Sequence, residues 1–138
     1  MSKTPSWSHH VALASEEASA GRARDFVAGH LIDHALFYLV EDVRLVASEL
    51  ATNAVLHAGR PFSVTLRGDD SSVLLTVRDG STLQPVHARA QVIDLHGRGL
   101  SIVDNISDQW GVSHIAGGNK SVWASFKLRQ GDRLPATP

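Results

Sequence analysis

The chain has 138 residues, 43% of them hydrophobic and 20% charged, which suits one ordinary globular domain with a core large enough to fold alone. Thirteen basic and fourteen acidic side chains leave a formal charge of -1 without a basic run, so a nucleic-acid footprint is absent, and the lack of Cys excludes a disulfide framework, a thiolate zinc site and a cysteine nucleophile. The opening MSKTPSWSHH has no apolar signal-peptide core and no apolar run is long enough to span a bilayer, so the expectation is a cytoplasmic protein without membrane attachment.

In chain order, HHVALA (residues 9 to 14) alternates weakly and predicts a short edge strand. Ser15 is then placed as an N-cap, with Glu16 and Glu17 in the first turn of a helix whose inner face carries Ala23, Phe26, Val27, His30 and Leu31. The pattern fades from Asp33 to Phe37, which predicts a connection. A second helix is expected from about Leu39 to His57, with Val43, Val46, Ala47, Leu50 and Ala54 as its buried stripe and Ala58-Gly59, then Pro61, as its stop.

The period then changes to two. Phe62, Val64 and Leu66 alternate with Ser63, Thr65 and Arg67; a turn covers Gly68 to Ser72; Val73, Leu75 and Val77 alternate with Leu74, Thr76 and Arg78. This predicts a hairpin. Residues 80 to 99, GSTLQPVHARAQVIDLHGRG, read as a long loop containing at most a short helix. Leu100, Ile102, Val103 and Ile106 predict a shorter helix, followed by strands at about Trp110 to Ile115 and Ser121 to Leu128 joined at AGGNK. The ordered part is expected to run roughly from 9 to 129, with both ends frayed. Helices grouped against a mainly antiparallel sheet make an α+β two-layer sandwich.

Polar residues interrupt this frame at four places. On a wheel with Val43 at zero, the buried stripe of the second helix centres near about 10°, while Asn53 falls near about 280° and Glu49 near about 240°. Both project along the border of the helix and sheet interface, where an amide or carboxylate needs a hydrogen-bond partner. On this stretch alone Glu49 also reads as a solvated residue and Asn53 as a satisfied interface amide. Alternation from Val73, Leu75 and Val77 puts Asp79 on the core-facing side at the end of its strand; the bland alternative is a turn-forming Asp-Gly pair. In HGRGLSIV (96 to 103) two glycines one residue apart precede a helix, the outline of a phosphate cradle, although a lone GxG also serves as a flexible turn. AGGNKS is explained by a hairpin turn. The eight histidines are scattered, without HExxH or paired ligand spacing, and read as surface or half-buried side chains.

Order and spacing tie these features together. ELATN resembles the N box of the GHKL ATPases (the gyrase, Hsp90, histidine-kinase and MutL superfamily), VRDGS the first glycine box, HGRGL the second and GGNKSVW the third. More narrowly, SELATNAVLHAG, RDGS, GRGL and KSVW resemble the stand-alone anti-sigma regulatory kinases of actinobacteria, over roughly residues 10 to 128. The resemblance implies a Bergerat-type ATP-binding fold with a mainly antiparallel mixed sheet and helices on one face. It implies ATP and Mg2+ as ligands, Glu49 as general base and Asn53 as the Mg2+ ligand. It further implies Asp79 accepting from the adenine amino group, which favours ATP over GTP, and Ser121 in the place of a Thr near the adenine. The loop from 80 to Gly97 would be an ATP lid, with Gly97, Arg98, Gly99 and Leu100 placing backbone donors at the phosphates. The side chains of Arg98 and Lys120 are expected to be solvated surface charges. Ser81 stands where the family often has Gly, in the adenine pocket. The implied partners are a sigma factor and an anti-anti-sigma (STAS-type) protein phosphorylated on Ser or Thr, and the resemblance leaves room for a homodimer. A nucleotide-sensing sequestering module without kinase activity is the alternative, and a fragment of a histidine-kinase-type ATPase ranks third.

Overall fold

A computed structural model of the chain describes residues 6–79, 99–114 and 120–129. The elements are β1 (Trp7–Leu13), α1 (Ala18–Asp33), a 3-10 turn (Phe37–Leu39), α2 (Val40–Ala58), β2 (Phe62–Gly68), β3 (Ser72–Asp79), α3 (Gly99–Ile106), β4 (Gln109–His114) and β5 (Lys120–Lys127). The strands form one sheet in the order β1-β2-β3-β5-β4, and every pairing is antiparallel. The helices pack on one face of it, α1 against α2 and β1, and α2 against β3 and α3, so the fold is α+β in two layers. The expected sheet is mainly antiparallel, and the described strands pair in antiparallel fashion only. Residues 80–98 of the loop expected at 80 to 99, most of the AGGNK connection and the tail beyond 129 lie outside the described residues, and Gly99 opens a helix.

The core follows the two sequence periods. Along α2, Val43, Val46, Ala47, Leu50, Ala51 and Ala54 are buried, and along α1, Ala23, Val27 and Leu31 are, so the helices meet through three- and four-residue repeats. Phe62, Val64 and Leu66 of β2 and Val73, Leu75 and Val77 of β3 supply the facing layer, and β5 adds Ala124 and Phe126. The hairpin register pairs Val64 with Val77 and Leu66 with Leu75. Its turn is fixed by Asp69, whose Oδ1 accepts from the Ser71 and Ser72 amides at 2.8 and 3.0 Å and from the Ser71 hydroxyl at 3.0 Å. The Ser71 amide, ahead of the other donors, holds the Asp69 carboxyl below the usual carboxylate range.

Two local expectations are corrected. β1 starts at Trp7, two residues earlier than the alternation suggested, because the Trp7 ring covers the bare backbone of its cross-strand partner Gly68. Trp123 covers Gly111 in the same way across β5 and β4. Secondly, Ser15 is not the N-cap of α1: the helix begins at Ala18, and its first turn is tied instead by Ser19, whose hydroxyl donates to the Ala14 carbonyl at 2.7 Å. Helix α2 ends as expected, at a left-handed Gly59 with φ 64° that only glycine adopts readily.

The histidines expected to be surface or half-buried include three, scattered in sequence, that are half-buried and meet in space. His9 of β1 and His34 just beyond α1 hydrogen-bond to each other through their Nε2 atoms at 3.0 Å, the His9 ring stacks on His30 at 3.7 Å, and Trp7 stacks on His34 at 3.9 Å. Partial burial, then the neighbouring His9, depresses the pKa of His30; burial, then His9 and His30, depresses that of His34; Asp33 opposes both. The folded state therefore binds fewer protons than the unfolded chain below its value near 6.5, so this contribution is complete above about pH 6.5 and is lost as pH falls through the lowered folded values. Melting temperature measured from pH 7.5 down to 5 is expected to decline, and His30→Asn combined with His34→Asn should flatten the decline. An equal slope in the variant would place the pH sensitivity elsewhere.

Candidate functional site

The middle of α2 brings Glu49 and Asn53 one turn apart, about 6 Å along the axis, and both side chains are half-buried. Neither lies in the buried stripe, and neither is a fully solvated residue. The same helix packs on β3, whose last residue is Asp79, and on α3, whose first residues are Gly99 and Leu100. One helix thus touches both elements that carry Asp79, Gly99 and Leu100, while Ser121 lies on β5. Ser81, Gly97 and Arg98 lie outside the described residues.

Asp79 ends its strand on the helix-facing side, as alternation requires, and is only 5% exposed. Its partner corrects the sequence reading. Lys120, expected to be a solvated surface charge, is 6% exposed, lies directly across from Asp79 in the β3–β5 register, and places Nζ 3.7 Å from Oδ2. Ser121, expected near the adenine, is paired in register with Arg78, so alternation sets it on the opposite face of the sheet from Asp79. The residue beside Asp79 is therefore Lys120. The signal was present in the sequence: Phe126, Ala124 and Val122, counted backwards by twos, reach Lys120 rather than Ser121.

A second residue missed by sequence reasoning is Arg24. It lies half-buried on α1 and donates from Nη1 to the Ser48 hydroxyl at 3.0 Å, which ties α1 to α2 one residue before Glu49. No spacing rule relates residues 24 and 48, so only the packing of the two helices reveals it. Leu45 and Leu56, 41% and 69% exposed, fall near about 200° and 220° on the α2 wheel, so Glu49 near about 240° sits on the same stripe with an exposed leucine on either side.

Chemically the site offers carboxylate and amide oxygens on a helix, a paired carboxylate at a strand end and the start of a helix. Among the described residues no group of three or more His, Cys, Asp or Glu side chains is placed to hold a metal. A Mg2+ bound through the Asn53 amide oxygen, with phosphate and water oxygens completing its shell, fits this donor set, because Mg2+ keeps few protein ligands and dehydrates reluctantly. A depression lined by Trp7, Arg67, Leu74, Gln109 and Trp123 lies on the other face of the sheet and includes none of these residues. No described helix is long and apolar enough to cross a membrane.

The family profile described as the histidine kinase-like ATPase domain matches residues 13–126 of the chain. No curated protein matches it.

Proposed function

Because the chain belongs to the histidine kinase-like ATPase domain family, we propose that it is an ATP-binding anti-sigma regulatory factor that phosphorylates an anti-anti-sigma protein on Ser or Thr. The observation that carries the reading is the pairing of Glu49 with Asn53 on a helix that packs on the strand ending in Asp79 and on the helix opening at Gly99. A base, a Mg2+ ligand, a base-edge acceptor and a phosphate-facing helix start are then grouped around α2.

Each residue has a stated task. Asp79 accepts from the adenine amino group, a donor that guanine lacks at that position. The backbone amides opening α3 face the phosphates, where unpaired donors and the positive end of the helix favour anions. Asn53 supplies one oxygen to Mg2+, which when bound neutralises charge on the phosphates. Glu49 accepts the proton of the substrate hydroxyl as its oxygen bonds to the γ-phosphorus and the bond to ADP breaks. The exposed leucines either side of Glu49 favour a protein as the phosphoacceptor, since they give the base an apolar rim for a partner to cover. In this reading a sigma factor is held by the chain and released when the anti-anti-sigma protein engages it.

The test is label transfer. Purified protein with Mg2+ and γ-labelled ATP is expected to label a STAS-type protein from the same genome on Ser or Thr. If no such protein takes label while ATP binding is intact, the kinase assignment fails and a nucleotide-sensing sequestering module takes its place.

A further inference from the structure

The helix-facing side of the β3–β5 ladder carries four rungs. Val73 with Phe126, Leu75 with Ala124 and Val77 with Val122 are apolar; the fourth, Asp79 with Lys120, is an ion pair. Burying such a pair costs desolvation of two charges, and apolar residues of the same volume commonly hold a fold as well or better. Stability therefore does not account for Lys120, and its chemistry has to.

An ammonium and a carboxylate side by side on one face present a donor next to an acceptor. The Watson–Crick edge of adenine presents the complement, the 6-amino donor beside the N1 acceptor. The carboxylate has lone pairs enough to accept from a ligand while its charge pairs with Lys120. We propose that Lys120 is a specificity-determining residue that donates a hydrogen bond to N1 of adenine, while Asp79 beside it accepts from the amino group. The assignment rests on the ATP-site reading above and adds a base contact to it. Ser121, on the other face of the sheet, takes no part.

Calorimetric titration of the full chain with Mg2+ and ATP, 1-deaza-ATP (N1 replaced by C–H) or 7-deaza-ATP, which is altered away from that edge, tests the proposal. Wild type is expected to bind 1-deaza-ATP about tenfold more weakly than ATP, the worth of a hydrogen bond to a charged donor, and 7-deaza-ATP about as well as ATP. Lys120→Met, checked for folding by circular dichroism, should bind ATP about tenfold more weakly and no longer distinguish ATP from 1-deaza-ATP. A folded Lys120→Met that still prefers ATP by the wild-type factor overturns the proposal, because another donor then reads N1. Should Lys120→Met not fold, the wild-type comparison decides alone: equal affinity for ATP and 1-deaza-ATP overturns it. Failure of wild type to bind ATP at all is a separate result, which removes the ATP-site reading and this proposal with it.

Discussion

Asp79→Ala is expected to lose ATP binding and to melt roughly 10 °C below wild type, whereas Asn53→Ala should lose Mg2+-dependent ATP binding with a nearly unchanged melting temperature. Both residues are assigned to one ligand, but their surroundings differ. Asp79 and Lys120 are each under a tenth exposed and are paired at 3.7 Å, so removing the carboxylate takes away the charge that faces the buried ammonium in this pair. Breaking a buried pair from one side costs about 3 kcal/mol or more. Asn53 is half-buried at the border of α2, where truncation to Ala removes the oxygen proposed to bind Mg2+ without orphaning a buried charge. The double variant Asp79→Ala with Lys120→Met separates the two effects: it should regain most of the lost stability and none of the ATP affinity. Binding of a labelled ATP analogue together with thermal melts checks all three proteins. Unchanged affinity in folded Asn53→Ala or Asp79→Ala would sink the ATP-site assignment, and an unchanged melting temperature in Asp79→Ala would show that the pair contributes nothing to the fold.

The elements were legible wherever burial is one-sided. The stripe of α2 and the alternation of β2 and β3 are direct consequences of one face meeting the core, and the left-handed Gly59 marks the helix end in both sequence and structure. Ends set by other means were not legible. The α1 start depends on the Ser19 hydroxyl reaching back to Ala14, and the β1 start depends on Trp7 lying over Gly68, a partner sixty-one positions away. The same division runs through the site. Asp79 could be placed because its strand alternates without interruption, and its position on the helix-facing side followed. Lys120 and Ser121 are adjacent in the third-box resemblance, which does not say which of them points inward; the register of β5 assigns the inner position to Lys120. The contact of Arg24 with Ser48 and the meeting of His9, His30 and His34 arise between elements, where local sequence carries no trace of them.

Glu49→Ala is expected to bind ATP within about threefold of wild type while lowering phosphoryl transfer by about a thousandfold, the usual worth of a positioned general base. The separation follows from where Glu49 sits. It is half-buried outside the buried stripe of α2, with exposed Leu45 and Leu56 before and after it along the axis, and under the proposed function its carboxylate meets the incoming hydroxyl rather than holding the nucleotide. Ala has the highest helix propensity, so the backbone of α2 is unharmed, and the adjoining contact from Arg24 to Ser48 remains to fix the helix against α1. Glu49→Gln, which keeps the shape and a hydrogen-bonding oxygen but cannot take a proton, should behave like Glu49→Ala if proton abstraction is the task. Single-turnover transfer to the anti-anti-sigma protein, measured beside ATP affinity for both variants, distinguishes three outcomes. Lost transfer with retained binding makes Glu49 the base. Equal loss of both makes it a structural member of the site. Retained transfer in Glu49→Gln would mean that the carboxylate orients the acceptor rather than deprotonating it, as a loose transition state for phosphoryl transfer permits, since that chemistry is driven mainly by positioning and charge.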